Sequence, residues 1–451
     1  MHFLKISLAV VAVLAAQVAG QSSNSTNIYA NYNYCQGISP IAHKTYAPIK
    51  GAKLHKVQVM MRHGDRTPSY VLPGDHTDYD ICSQPAEFNF MANNQNSKIA
   101  STQSPFLRSN ILVSDENLFA PTYWRGNCEV GQLTNKGSQQ TKEVGQTLRA
   151  IYVDELKFLS STLDPDDLYV RNTYVWRTKE SAERFLDGFY PLKHRPHGVD
   201  ASVITLNTYP QSIETLIMNP GACERLAILY EGFFKTPTYL NYYKSNYALM
   251  TKVNTILGVT NVPTYNTTMN GDAVMPRYCN KLPLGCSTTD PSQCLTAQEV
   301  VQAMTESTFM YSAVLRYEST AEEVKRLSVG PFLKTLSSSI RATTSALTKK
   351  QRHGTKRVRP FELYSAHDQS LDQVLSVIAE KLTPWPAYAS TVIFETWETA
   401  AKKLVIRVLY EGKVVPANPN LKCTLDACPL DVFLDFVESY VPTDITAECS
   451  A

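Results

Sequence analysis

Two hydrophobic periodicities alternate along this chain. Around residues 54–61 apolar side chains crowd together (Val57, Val59, Met60, Met61), the pattern of a strand buried on both faces. Between Thr134 and Leu156 they fall instead at Val144, Leu148, Ile151, Tyr152 and Leu156, one stripe of a long helix. Leu168, Tyr169 and Val170 predict a short buried strand with Arg171 at its end, and Ala182, Phe185, Leu186 and Phe189 mark the next helix. Phe361 to Ala366 predicts another strand, followed by a helix to about Lys381. Thr391 to Trp397 and Leu404 to Tyr410 read as an antiparallel strand pair, and a helix is expected from Leu430 to Tyr440. Strands alternating with amphipathic helices predict an α/β fold of three layers, α/β/α, around a mainly parallel sheet. Ligands of such sheets gather beyond the carboxyl ends of the strands. His63, Arg171 and His367 each follow a predicted strand.

From about 200 to 335 the texture changes. Tyrosines crowd at Tyr230, Tyr239, Tyr242, Tyr243 and Tyr247, and Val300 to Leu315 reads as helix. Aromatic clusters mostly serve packing, and that role is expected here rather than substrate contact. Residues 21–50, rich in Ser, Asn and Tyr, predict an irregular arm.

With 451 residues the chain is long enough for a large core and two domains, or one domain with a substantial insertion. A net charge of +2 lacks the concentrated basic face that a nucleic-acid partner needs. Residues 1–20 have the form of a secretory signal peptide: Lys5, an apolar stretch from Leu8 to Val13, then small residues at Val18-Ala19-Gly20 before Gln21. That stretch is short of the ~20 apolar residues of a membrane span, and the polar end Asp444 to Ala451 carries no anchor signal. The expectation is a secreted, unanchored protein. Ten cysteines fit that compartment, with Cys423–Cys428 the expected local bridge and the other pairings open. Asn24 and Asn266 begin glycosylation sequons.

The densest chemistry lies in Arg62-His63-Gly64-Asp65-Arg66-Thr67-Pro68, directly after the first predicted strand. An imidazole between two guanidiniums suits attack on phosphorus, because planar forks grip phosphoryl oxygens in pairs and offset their charge. Gly64 would let backbone and substrate approach closely. Asp65 fills a variable position and is assigned no chemistry. Arg352-His353-Gly354 repeats three letters of the pattern, but no apolar strand precedes it. With Lys349, Lys350, Arg357 and Arg359 it reads as a basic surface loop. His194 and His197 have metal-like spacing, yet Pro196 lies between them and no carboxylate is near in sequence, so a loop is expected.

This segment resembles the histidine acid phosphatase signature R-H-G-x-R-x-P. Three further blocks resemble the same family in the same order: Gly131-Gln132-Leu133-Thr134 with Gly137 and Gln140; Arg171-Asn172-Thr173 through Arg177-Thr178; and His367-Asp368 closing a strand. The resemblance implies an α/β catalytic domain over 21–200 and 336–451, with an inserted, mostly helical cap over 201–335. It implies phosphate monoesters as substrates and no metal or cofactor. His63 would be the nucleophile forming a phosphohistidine. Arg62, Arg66 and Arg171 would hold the equatorial oxygens, joined by His367 protonated at acid pH, while Arg177 would play a supporting structural part. Asp368 would be the general acid, which implies an acidic optimum. The blocks at 131–153 and 170–190 look more like the lysophosphatidic acid and phosphoxylose phosphatase branch than the phytases, although phytases usually carry Tyr where Thr67 stands. The alternatives are a mutase-like phosphotransferase, which would keep phosphohistidine from water, and a non-catalytic binding glycoprotein on the same fold. The second would be expected to have lost His63 or Asp368, and both are present.

Overall fold

Strand formation follows the apolar runs. The computed structural model describes residues 32–42, 44–82, 116–196, 203–259, 270–287, 290–348, 358–380 and 383–450, with two further short strands, Ala86–Glu87 and Phe106–Leu107. The predicted leader, both sequons, His197 and the basic stretch 349–357 lie outside the described residues. The chain groups into two units, Met1–Tyr32 and Asn33–Ala451, and every element below belongs to the second.

Six strands, β1 (Lys53–Arg62), β2 (Leu168–Asn172), β3 (Leu206–Thr208), β4 (Phe361–Ala366), β5 (Thr391–Glu398) and β6 (Leu404–Tyr410), lie side by side in the order β6-β5-β1-β4-β2-β3. Two-residue strands, Lys413–Val414 and Cys428–Pro429, pair with β6. β1, β4, β2 and β3 run parallel, whereas β5 is antiparallel to both β1 and β6, as the strand pair predicts. Val57, Val59, Met60 and Met61 are all fully buried, because helices cover both faces of β1.

On one face lie α1 (Asn135–Arg149) and α2 (Trp176–Phe189), whose Val144, Leu148, Phe185 and Phe189 share a core with Val57, Val59, Val170 and Leu363. The helix expected to reach Leu156 ends at Arg149, and Ala150–Glu155 widen into a π-helical turn. Ile151, Tyr152 and Val153 are all buried there. Three consecutive inward residues span more arc than the stripe a regular helix presents.

Between β3 and β4 the chain is helical: α3 (Glu224–Phe233), α4 (Pro237–Ile256), α5 (Gly271–Cys279), α6 (Ala297–Ala313), α7 (Ala321–Ser328) and α8 (Gly330–Thr348). β3 still pairs with β2, so this stretch begins after Thr208 rather than at 200. Tyr239 and Tyr242 pack with Phe233, Met310 and Leu327 in a second core. The helix expected after β4 is α9 (Asp368–Ile378), and the last expected one is α10 (Leu430–Glu438). α8 and α9 cover β1 on the face away from α1, and α10 lies against β6. Among the described residues no helix is long and apolar enough to cross a membrane.

All ten cysteines pair. Cys423–Cys428 forms as expected, beside Cys82–Cys128 and Cys286–Cys294. Cys35–Cys279 and Cys223–Cys449 close spans of 244 and 226 residues. Cys35 thereby fastens the irregular arm to α5. Further along that arm the Ile38 N–H donates to Glu411 (2.8 Å), a carboxylate only 2 % exposed. Burial pushes the Glu411 carboxyl up to about 7 from an ordinary 4.5. The folded protein therefore keeps this proton over a range where the unfolded chain has lost it. Its cost is absent below the unfolded value and grows as pH rises towards the folded one, reaching about 3 kcal/mol. Thermal melts should show Glu411→Gln raising the midpoint at pH 8 and leaving it unchanged at pH 4; an equal rise at both pH values would refute the account.

Candidate active site

Register brings the two histidines together. Arg62 of β1 pairs with Ala366 of β4, so the residues that follow, His63 and His367, leave adjacent strand tips. The His63 N–H donates to the Ala366 carbonyl (3.0 Å), and the imidazole centroids stand 5.5 Å apart. β2 enters on the far side of β4, with Asn172 opposite Ser365, which sets the Thr173 hydroxyl 3.0 Å from Nε2 of His367.

His63 is oriented by its own loop. Its Nδ1 lies 2.8 Å from the Gly64 carbonyl. A carbonyl only accepts, so Nδ1 carries the proton and Nε2 keeps its lone pair for the cavity. The close approach at Gly64 is to protein: a Cβ there would fall 2.2 Å from the Gly137 carbonyl, and one on Gly137 would fall 2.0 Å from the Asp65 carbonyl. The loop that follows β1 and the first turn of α1 thus touch backbone to backbone. Asp65 cements that contact. Its carboxylate accepts from the Thr134 hydroxyl (2.7 Å) and the Asn280 amide (2.7 Å), while its N–H donates to Gln140 (2.8 Å). Thr134 in turn caps α1 by accepting from the Gly137 N–H.

Arg62 is fully buried. It donates to the Pro386 carbonyl (2.6 Å) and the Tyr34 hydroxyl (2.8 Å), and one nitrogen stands 3.0 Å from the Asp368 carboxylate. The rings of Tyr388 and Tyr34 flank its guanidinium at 4.1 and 4.9 Å. Arg66 donates to the Thr67 carbonyl (2.9 Å) and to Asp272 of α5 (2.5 Å). Asp272 also accepts from the Ser69 N–H (2.9 Å). Burial opposes its charge, but Arg66 and that N–H hold its carboxyl below the usual range. Asp368 opens α9 and accepts from the Trp385 indole (3.3 Å).

The arginine at the end of β2 does not join this group. The strand runs on through Asn172, beyond its apolar stretch, so Arg171 lies inside it, opposite Tyr364. Its side chain emerges on a sheet face, paired with the fully buried Glu214, hydrogen-bonded to Thr215 and stacked 3.7 Å from the Tyr209 ring centroid. Arg177, for which a supporting structural part is expected, is instead the leading charge acting on both His63 and His367. As the second residue of α2 it starts from the tip loop, and its Nη1 would stand 3.3 Å from a Cβ on Gly131, whose φ of +67° suits glycine. Burial and Arg66 lower its pKa to about 10, so it remains a cation in neutral and acid solution.

The charge expected on His367 is also corrected. Burial, then Arg177, Arg66 and Arg62, push its pKa well below the ordinary histidine value, and burial with the same three guanidiniums does so for His63. Both shifts favour the neutral imidazole, against the charge expected on His367. Among the described residues, Nε of Arg62, Arg66 and Arg177 has no hydrogen-bond acceptor. Buried donors without partners are costly; Nε of Arg171 lacks an acceptor too, but only Arg62, Arg66 and Arg177 act on both His63 and His367. The arrangement can take an anion with tetrahedrally disposed oxygens against a free imidazole nitrogen, with a carboxyl group beside it.

Tyr34, Trp385, Tyr388 and Asp272 escape the sequence reading. Each comes from an arm, a loop or the helical segment, and none lies in a periodic block. Arg177 was visible as the second arginine of its block, and its place after the strand tip was the signal.

Residues 53–411 match the model of the histidine phosphatase superfamily, branch 2. Counting factor 60 of Dictyostelium discoideum is 27% identical over 421 residues, covering 92% of each chain. Lysophosphatidic acid phosphatase type 6 of Homo sapiens is 26% identical, over 88% of this chain and 86% of its own. 2-Phosphoxylose phosphatase 1 of Danio rerio is 26% identical, over 85% and 78%. These last two are the branch that the blocks at 131–153 and 170–190 resemble. Hafnia alvei phytase in complex with myo-inositol hexakis sulphate shares the fold, with a TM-score of 0.56 and 14% identity, over 90% of this chain and all of its own.

Proposed function

The chain belongs to branch 2 of the histidine phosphatase superfamily, and from that premise we propose that it hydrolyses phosphate monoesters in two steps through His63. One observation carries the reading: three guanidiniums whose buried Nε–H donors have no acceptor act on an imidazole whose Nδ1–H donates to a backbone carbonyl. Nε2 of His63 attacks phosphorus in line as the ester P–O bond breaks, and the proton stays on Nδ1, hydrogen-bonded to the Gly64 carbonyl. Asp368, in its protonated form, gives its proton to the departing alcohol oxygen. As a carboxylate it then takes a proton from the water that attacks the phosphohistidine, releasing inorganic phosphate and restoring both groups. Arg62, Arg66 and Arg177 hold the equatorial oxygens, and His367 adds a hydrogen bond.

The depressed pKa of His63 keeps the nucleophile unprotonated into acid solution, and general-acid catalysis by a carboxyl group is favoured there. Activity is therefore greatest in acid, at about pH 4–6. Five disulfides support an oxidising compartment and, with the leader-like first twenty residues, a secreted enzyme.

The test compares 4-nitrophenyl phosphate, whose alcohol leaves unaided, with an alkyl phosphate, whose alcohol needs a proton. Asp368→Asn should lower kcat roughly 10²–10⁴-fold for the alkyl ester and much less for the nitrophenyl ester. Equal losses on both would remove Asp368 from the proton-donor role. Wild-type protein inactive on every ester would sink the hydrolase reading.

A further inference from the structure

Beside Asp368 a cavity of about 160 Å³ opens between α9 and the helical segment. Its walls are Met218, Tyr230, Tyr311, Leu315 and Trp385. Trp385 joins it to the chemistry, since its indole N–H donates to Asp368 while its ring lies 6.3 Å from that of Tyr311. The remaining polar lining comes from the amides of Gln369 and Gln373 and the Asp372 carboxylate. None of the lining residues is Lys, Arg or His. Asp372 is already neutralised by a two-pronged ion pair with Arg316 (2.6 and 2.9 Å), both nearly fully buried. Asp272, paired with Arg66, presents a second carboxylate that acts on Tyr311 as Asp368 does.

This arrangement is ill suited to a substrate with several phosphates. The guanidinium cluster accommodates one phosphoryl group. A second would meet either an apolar wall or the Asp272 carboxylate, and like charges brought together across an interface are strongly penalised. An uncharged ring, by contrast, fits: a dry cavity of about 150 Å³ accepts benzene. The position is also that of a departing alcohol, because the proton donor must reach the ester oxygen.

Resting on the phosphomonoesterase reading, we propose that this cavity receives the leaving group, and that the leaving group is an uncharged, apolar alcohol. The pocket and Asp272 together exclude esters carrying further phosphates. The fold is shared with phytases, but selectivity runs the opposite way.

The experiment measures kcat/KM for 2-naphthyl phosphate and for myo-inositol hexakisphosphate. Wild-type protein should favour the naphthyl ester by roughly 100-fold or more. Met218→Lys, which puts a cation on a half-buried wall position, should shrink that ratio by about tenfold. Tyr311→Ala should raise KM for 2-naphthyl phosphate several-fold more than for methyl phosphate. Equal or greater efficiency on the hexakisphosphate overturns the proposal, as does a Tyr311→Ala effect that is the same for both monoesters. Binding of 2-naphthol, followed by tryptophan fluorescence, separates this idea from the catalytic one because it needs no turnover. Saturable binding that Tyr311→Ala abolishes supports the pocket even if no ester is hydrolysed, whereas absence of binding overturns it.

Discussion

His63→Ala is expected to lower kcat on 4-nitrophenyl phosphate by at least about 10⁴-fold, to the limit of detection, with the fold retained. In the proposed reaction the other groups of the site stabilise charge or supply a proton, and none forms the bond to phosphorus. Its Nδ1 is committed to Gly64, its Nε2 faces the guanidiniums, and the neighbouring His367 is engaged with Thr173. Removing the ring deletes the covalent route. It leaves the strand tip intact, because the backbone bonds of residue 63 to Ala366 and Ala389 do not involve the side chain. Rapid alkaline quench of wild-type protein with a labelled ester should trap an acid-labile, base-stable phosphoryl group on this residue. A variant with full activity, or a label carried elsewhere, would falsify the assignment.

The second large effect separates two arginines six positions apart in one block. Arg177→Ala should reduce kcat/KM by roughly 10²–10³, a loss of about 3–4 kcal/mol in transition-state stabilisation, with little change in the thermal midpoint. Arg171→Ala should do the reverse. It strands the Glu214 carboxylate with no solvent access, and breaking a buried pair from one side costs about 3–5 kcal/mol. Activity per folded molecule should change far less than for Arg177→Ala. Replacing the pair together, Arg171→Met with Glu214→Leu, should restore much of the stability because no charge is then left buried alone. Urea melts and steady-state kinetics on the same preparations decide the matter. A pattern in which Arg171→Ala kills activity without unfolding would return Arg171 to the phosphate.

These two residues also mark where sequence reasoning stops. The apolar stretch Leu168 to Val170 ends before Arg171, which predicts a strand with that arginine at its tip. In the fold, pairing with β4 carries the strand on to Asn172, and alternation along it turns Arg171 to the sheet face. Nothing in a three-residue apolar run reveals how far a neighbouring strand will extend it. Likewise the charge on His367 depends on three guanidiniums from residues 62, 66 and 177, whose summed field no local pattern contains.

Local chemistry alone determined a good deal. Unbroken apolar runs forced doubly covered strands, spaced apolar stripes forced covering helices, and an Arg-His-Gly-x-Arg segment after a buried strand required an anion-directed imidazole. Those features follow from period and residue type, which one-dimensional order records. Parallel register set the two imidazoles side by side, and the helical segment contributed Asp272, Tyr311 and the walls of the cavity. The histidines, and Arg66 with Asp272, meet across more than two hundred residues, and only the closed chain chooses such partners, because contact depends on where backbones meet and not on what lies adjacent along them.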